Sequence, residues 1–487
     1  MGSWRWLATG LGQASRDHVV MRILRVDKRI LTIHMRAPLA RILFSLLVMA
    51  AIAPGLYRAY GIFGADRRVQ GAKAISNYSR AIEYDPGNGA LWWMRGRLRH
   101  YELAALDIPG AIRDYEQALL LNPRLGQAWV DLADCYERIG SIPRTEASLQ
   151  KALQVWTYSP LIRWQAGNLY LLRGDLKKMY ECFKMASEYD IDKLRMAMQI
   201  AWKVDPDHAM IDRKLVPDKL PARLLYFDFL VAHDELDLAR QTWERSLRNP
   251  TPPGYQYKVS IAFPYIERLT AKYRIEDALR VWQEVLRKSG METTDGRFVG
   301  EGSVSRVAKP GTNLIWNGSF ENEILRGGFD WRYSDLAAVQ LQTAMDDRID
   351  GLKSLRLTFG GTNIDAWYLS QIVPILAPGD YLLECYVKTV KLTTDKRPYL
   401  QIEGFPDAQG ATLKTGPFPE SSAWHKYSFP FTVRAGTRAV QLVLRRDPSD
   451  KLDSQLKGSL WLDNFSIRAQ NQPRMATVSR AKEDSSK

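Results

Sequence analysis

Few residues of this chain have types and spacings that could carry catalysis. Histidine is scarce, six in 487 residues, and none stands in a motif beside a serine or cysteine nucleophile. Cys135, Cys182 and Cys385 form neither a Cys-x-x-Cys pair nor a metal-ligand spacing, so they read as buried free thiols. There is no phosphate-cradling glycine loop, no zinc-protease helix motif and no nucleophile elbow. Glu321 and Asp330 are the nearest thing to the two carboxylates that glycoside hydrolysis requires. Nothing in the pattern sets a second element opposite them. The chain therefore reads as a protein that is not an enzyme, and its chemistry as the binding that aromatic and polar side chains provide once a fold sets them together.

The element that must do the positioning over the first half is a repeat. Ala81, Ala118, Ala152 and Ala186 are 37, 34 and 34 residues apart. Three residues before each stands a bulky side chain, Tyr78, Tyr115, Leu149 or Phe183; four before that come Ala74, Ala111, Thr145 and Met179. Tyr136 and Tyr170 keep the same step, as do Gly140 and Gly174, and Ala133 and Gly167. Pro86 and Pro123 each follow an alanine by five residues, where a missing N–H stops a helix. This pattern resembles the tetratricopeptide repeat, a 34-residue pair of antiparallel helices that buries its apolar face by stacking on the next copy. Four copies are clear. Ala239 with Trp243 and Ala278 with Trp282 mark two degenerate ones.

On the geometry this resemblance implies, the first helix of each hairpin lines a groove for a protein partner. Register places Trp93, Arg97, His100 and Tyr101 there, then Asp134 and Glu137, then Trp164 and Asn168. Trp93 and Trp164 stand where a clamp for a peptide's terminal carboxylate would want cations, so that ligand is not expected. The same aromatics would equally serve as packing between hairpins.

The N-terminal segment points to a membrane. Through Arg41 there are eight Lys and Arg against Asp17 and Asp27, a net +6 out of +14 for the chain. Ile42 to Tyr57 is an uncharged run of 16 residues, which Arg41 and Arg58 can lengthen by snorkelling toward the roughly 20 that span a bilayer. A cleaved signal peptide (Ala51-Ile-Ala53, though with Pro54 directly after) and a buried core helix compete with an anchor. Basic residues before the span put the N-terminus in the cytoplasm and all that follows residue 60 outside it. This topology accounts for the charge better than nucleic-acid binding, which calls for a basic stripe on a folded face; no nucleic-acid partner is expected.

After a Gly-, Ser- and Thr-rich connection the pattern changes to alternation: Leu355-x-Leu357-x-Phe359, Tyr381-x-Leu383-x-Cys385-x-Val387, Val440-x-Leu442-x-Leu444. Period two with turns such as Pro378-Gly379-Asp380 indicates a β-sandwich or jelly roll. The opening NLIWNGSFE with GFDW, the middle YLSQIVPILAPGDYLLECYVKT, and the close WHKYSFPFTV with GSLWLDNFSI resemble the galactose-binding-like jelly rolls that include many carbohydrate-binding modules. The resemblance covers about a third of the chain. It implies a structural calcium at Glu321 and Asp463, which would need backbone carbonyls to complete six to eight oxygens. The plainer alternative is that Glu321 caps a turn and Asp463 bonds nearby backbone. It also implies glycan contact, in which aromatic faces stack on sugar C–H faces beside a few fixed polar groups. Trp331, Tyr333, Trp367, Tyr368 and Trp424 are the candidates, with Trp367 foremost and Asp365 as its polar neighbour. Trp331 belongs to a motif and could equally be core. Many modules of this fold bind no sugar.

The expected architecture is multidomain α + β: basic tail 1–36, transmembrane or signal anchor 37–60, helical repeat solenoid 61–290, linker 291–311, β-sandwich jelly roll 312–469, disordered tail 470–487. The expected function is a single-pass inner-membrane scaffold with its domains periplasmic or extracytoplasmic. Its array would bind protein and its module glycan or another envelope protein, and the combination resembles bacterial envelope proteins of surface-polysaccharide assembly or export. A carbohydrate-active enzyme with unrecognised acidic residues and a soluble adaptor with no glycan role are the alternatives.

Overall fold

The computed structural model describes residues 20–26, 29–34, 38–69, 74–248, 251, 253–291 and 312–470. The expected connection over 292–311, the tail over 471–487 and most of the basic segment 1–36 lie outside the described residues. The chain divides into two compact units, Met1–Leu215 and Val216–Lys487.

The first unit opens with a hairpin, β1 (Val20–Val26) and β2 (Arg29–His34), in a stretch where no element is expected from the basic composition. Its β-branched residues favour extended backbone. Then comes α1 (Pro38–Val69), 32 residues with Pro54 inside. It is the one described helix long and apolar enough to cross a membrane, and none of that apolar stretch is buried. The helix continues past Arg58, where the apolar run ends, and its last turns pack on the array: Ala65 joins Tyr78, Ala81, Ile82 and Leu91 in one cluster.

The array follows as α2 (Ile75–Tyr84), α3 (Gly89–Tyr101), α4 (Ile108–Leu121), α5 (Gly126–Arg138), α6 (Ile142–Val155), α7 (Pro160–Leu172), α8 (Leu176–Tyr189), α9 (Ile191–Val204) and α10 (His208–Lys214). Hairpins pair α1 with α2, α3 with α4, α5 with α6 and α7 with α8. The repeat alanines all fall on the second helices and are fully buried. Their partners on the first helices are small for a steric reason: a Cβ on Gly96 would stand 2.7 Å from the Tyr115 ring, and one on Gly167 2.5 Å from that of Phe183. Gly140 and Gly174 take φ of +73° and +72° directly after α5 and α7, a left-handed turn that glycine makes at no steric cost. The one 37-residue step has a local cause. Six residues, Glu102–Asp107, join α3 to α4 through a short 3₁₀ turn, against three between α5 and α6 and three between α7 and α8.

In the second unit α11 (Leu220–Ala232) pairs with α12 (Leu236–Arg248), and α13 (Phe263–Ala271) with α14 (Ile275–Ser289). Ala239, Trp243, Ala278 and Trp282 are fully buried, so the degenerate repeats are helical hairpins. The strands are β3 (Arg332–Tyr333), β4 (Val339–Ala344), β5 (Ser354–Thr362), β6 (Ala366–Pro374), β7 (Gly379–Val390), β8 (Tyr399–Phe405), β9 (Thr412–Lys414), β10 (Ser422–Val433), β11 (Ala439–Arg446) and β12 (Leu456–Ala469). They form two antiparallel five-stranded sheets, β10-β7-β12-β5-β4 and β3-β6-β11-β8-β9. The period-two residues point inward as the alternation requires: Leu355, Leu357, Phe359, Leu383, Cys385, Val387, Val440, Leu442 and Leu444 share one core. The chain is thus a helical repeat array followed by a jelly-roll sandwich.

All three cysteines are free and buried. Burial pushes the Cys135 thiol up to about 12 and that of Cys182 up to about 11, so neither is a nucleophile at neutral pH.

Candidate functional site

On β6 the burial pattern sets Trp367 outward between buried Ala366 and Tyr368. It is 43% exposed, the most open tryptophan of the sandwich. Its cross-strand neighbour on β11 is Arg445, whose other neighbour on β8 is Tyr399. Asp365 accepts from the Arg445 guanidinium at 3.0 Å. Tyr399 is buried beneath Lys414, whose ammonium sits 4.6 Å from the ring centre. Its hydroxyl donates to Asp447 at 2.8 Å. Burial works against ionisation of Asp447, but the Tyr399 hydrogen bond and the Lys414 charge outweigh it and hold the carboxyl below its usual range. Beyond, Gln401, Glu403, Thr412 and Lys414 line a cavity of about 320 Å³ on the same sheet. One face thus offers an open aromatic, a guanidinium, an ammonium, carboxylates and an amide.

The other sequence-predicted aromatics do not join it. Trp331 is corrected to core: it is 1% exposed, packs on Phe320 and Phe465, and donates its Nε1 to Asn317 O at 3.0 Å. Tyr368 is buried as well. Tyr333 packs against the core cluster with Arg326 over its ring at 4.1 Å. Trp424 lies on β10 in the other sheet, donating to Asp347 at 2.6 Å. Sequence reasoning missed Arg445, Tyr399, Gln401, Glu403 and Lys414. Arg445 was within reach, because it alternates with the inward Leu442 and Leu444.

Glu321 and Asp463 come to one loop. Glu321 Oε1 accepts from the backbone N–H groups of Leu352 and Lys353, at 2.7 and 2.8 Å. Asp463 Oδ2 accepts from Ile349 and Asp350, and its Oδ1 from Asn464. The Lys353 ammonium donates to Glu321 O at 2.7 Å. These carboxylate oxygens face donors, and no group of three or more His, Cys, Asp or Glu among the described residues is arranged to hold a metal. The donor set fits a loop clamp rather than a calcium cage. A chelator is accordingly expected to leave the thermal midpoint unchanged, whereas Asp463→Ala should cost about 2 kcal/mol by orphaning three part-buried N–H groups. A midpoint that drops in chelator and returns with calcium would speak for the cage.

Asp330 is likewise a clamp, fully buried and accepting from Leu325 N and Trp331 N at 2.6 and 2.7 Å. Burial pushes its carboxyl up to about 7, against these bonds. An unfolded Asp titrates at about 3.9. Between those values the folded chain holds a proton that the unfolded chain has lost. This group's stabilisation is therefore full in acid, declines as pH rises, and is gone above its folded value. The expected slope is at most about 1.4 kcal/mol per pH unit. Denaturant titrations across that window should show it in the difference between wild type and Asp330→Asn; a pH-independent difference would refute it.

In the array, the first helices sit side by side, α3 with α5 and α5 with α7. Trp93, Arg97 and Tyr101 of the register-placed groove residues gather around Asp131, which register reasoning did not name, and His100 pairs with Asp134. Asp131 accepts from Trp93 Nε1 at 2.7 Å and the Tyr101 hydroxyl at 3.0 Å, with Arg97 at 3.8 Å. Arg97 also lies over the Trp93 and Tyr101 rings. Burial first, then the charges of Asp131 and Asp134, push the Tyr101 phenol far above its ordinary value and keep it a donor. Buried His100 lies 2.8 Å from Asp134 and 3.3 Å from the Tyr115 hydroxyl. The remaining three stand apart. Glu137 is 3.8 Å from Arg173, Trp164 stacks on Phe183, and Asn168 donates to Trp164 O within its own helix.

No family model matches the chain, and no curated protein matches it. Solved structures similar to parts of it include the enzymatically active domain of bacteriophage CBA120 tailspike protein 4 (18% identity over 32% of this chain, TM-score 0.24). This chain spans only about a fifth, 21%, of that protein. A xylan-binding domain from Paenibacillus barcinonensis is 20% identical over 34% of this chain and all of its own length, with TM-score 0.23. YrrB, described as a TPR protein with an unusual peptide-binding site, is 15% identical over 45% of this chain and 94% of its own, with TM-score 0.22. At these TM-scores the likenesses carry no argument, and the fold rests on the helix pairing and strand order above.

Proposed function

We propose that the protein is a membrane-anchored, non-enzymatic scaffold whose sandwich contacts glycan and whose array holds a protein partner. The observation that carries the glycan half is the outer face of the second sheet, where open Trp367 lies beside Arg445 and the cavity of Gln401, Glu403 and Lys414 follows on the far side of β11. A sugar needs an apolar ring to stack on and fixed donors and acceptors at its rim, and this face has both. The anchor half is supported by α1, apolar and unburied. With basic residues ahead of the span, both domains lie outside the cytoplasm of a bacterial cell, on the outer side of the inner membrane. Work in the assembly or export of surface polysaccharide is the role this layout suits.

The test is a glycan-array screen of the full chain in detergent. Wild type is expected to bind a defined subset, and Trp367→Ala to bind it about tenfold more weakly or worse, as for a central aromatic anchor. Because Trp367 is open, its loss should shift stability by no more than about 0.5 kcal/mol. Equal binding by the variant would remove the face from the proposal, and no binding by wild type would remove the glycan.

A further inference from the structure

The repeat array has two edges, one made by the turns inside hairpins and the other by the turns between them. We infer that the edge between hairpins lies on the lipid surface of the membrane that α1 enters. This rests on reading α1 as a membrane span.

The direction of α1 decides which edge is concerned. It runs antiparallel to α2 and leaves the array at the end of that helix: the Tyr60 and Tyr84 rings are 6.4 Å apart, and a Cβ on Gly61 would stand 2.7 Å from Tyr84 O. The apolar part of α1 therefore projects from the edge where α2 hands over to α3. In an antiparallel stack the turns α4–α5, α6–α7 and α8–α9 fall on the same edge.

That edge carries a run of exposed apolar and aromatic side chains among its polar turn residues. Leu120, Trp156, Tyr158, Leu161, Tyr189 and Ile191 are all exposed, Leu120 at 75% and Tyr158 at 67%. They are also fixed in place along the ridge. The Trp156 ring lies against Gly126 and its Nε1 donates to Arg124 O at 3.1 Å, and Tyr158 meets Tyr189 edge-on at 5.6 Å. Tryptophan and tyrosine are the side chains that settle at the headgroup level of a bilayer, with an apolar body and a polar tip. The opposite edge differs. It exposes mainly aliphatic side chains, Leu103, Leu106, Ile139, Ile142 and Leu172, with the aromatic Tyr101 beside them, and it stands about 20 Å away, the length of a helix of this size.

The experiment uses the full chain in vesicles of phosphatidylcholine and phosphatidylglycerol, with an environment-sensitive fluorophore on one introduced cysteine at a time. The three native cysteines are buried. Labels go on Leu120→Cys and Tyr158→Cys for the proposed edge, Leu103→Cys and Leu172→Cys for the opposite edge, and Leu47→Cys for the span. Nitroxide lipids serve as quenchers. The expected result is quenching of Leu47→Cys by deep nitroxides, quenching of the two proposed-edge labels by shallow ones, and none at the opposite edge. If the span label is quenched and the proposed-edge labels are not, or both edges quench alike, the docking falls and the anchor stands. An unquenched span label overturns the anchor and the docking with it.

Discussion

Trp282→Ala should weaken the second unit by about 3–5 kcal/mol, the cost of emptying a buried tryptophan site. Trp282 sits on α14 with no exposed surface, yet much of what it touches belongs to the sandwich. Its ring meets Trp316 at 5.6 Å and Phe329 at 6.3 Å, besides Phe263 on α13. The opening loop of the sandwich can lie this close only because it lacks side chains there. A Cβ on Gly328, where φ is +60°, would stand 2.4 Å from the Trp282 ring, and one on Gly327 2.2 Å from that of Phe263. Ion pairs Glu267–Arg332 and Glu276–Arg438 and the Tyr273–Phe405 contact border the same seam. Helices and sandwich therefore share a core and should unfold together. Denaturant melts followed by far-UV dichroism and by tryptophan emission should shift in step. A sandwich transition that stays at its wild-type midpoint in the variant would show the seam to be superficial.

Arg446→Met should cost a similar amount, about 3–5 kcal/mol, and should abolish the proposed glycan binding along with it. The guanidinium is fully buried at the end of β11, and the four acceptors around it are all carbonyl or amide oxygens. Nε donates to Lys396 O at 2.7 Å, Nη1 to Thr362 O at 2.7 Å, and Nη2 to Ser454 O at 2.6 Å and Asn363 Oδ1 at 3.1 Å. These oxygens come from the end of β5 and from the connections β5–β6, β7–β8 and β11–β12, so one side chain staples three loops beside Trp367. Methionine matches much of the volume but leaves the acceptors unpaired in a dry site. Lysine keeps the charge but lacks the planar fork, so Arg446→Lys should recover only part of the loss. Chemical denaturation of both variants checks this; values within about 0.5 kcal/mol of wild type would mean the loops hold without the staple.

The sequence was most legible where one physical rule acted alone. Ala118 and Tyr115 repeat because a helix pair can close only around a small residue with a ring beside it, and Leu383, Cys385 and Val387 alternate because one sheet face is dry. The site was harder to read. Trp331 and Trp367 both stand in glycine- and aspartate-containing stretches, and only the packing around Phe320 and Phe465 separates the core ring from the open one. Arg445 and Glu403 acquire meaning from cross-strand register, which couples residues far apart in the chain, Arg445 with Trp367 and Glu403 with Gln441. The helical continuation of α1 was hidden too, because Arg58 ends an apolar run without ending a helix.

That continuation has a mechanical consequence. A helix carries rotational phase as well as length, and α1 has no break between its apolar turns and the turns that seat Ala65 beside Tyr78. Each residue between them sets about 100° of azimuth and about 1.5 Å of height. The number of residues from Leu47 to Ala65 is therefore a gear setting. Removing one would swing the array a little over a quarter turn about the axis of α1, while removing seven would return it close to its original heading, about two turns lower.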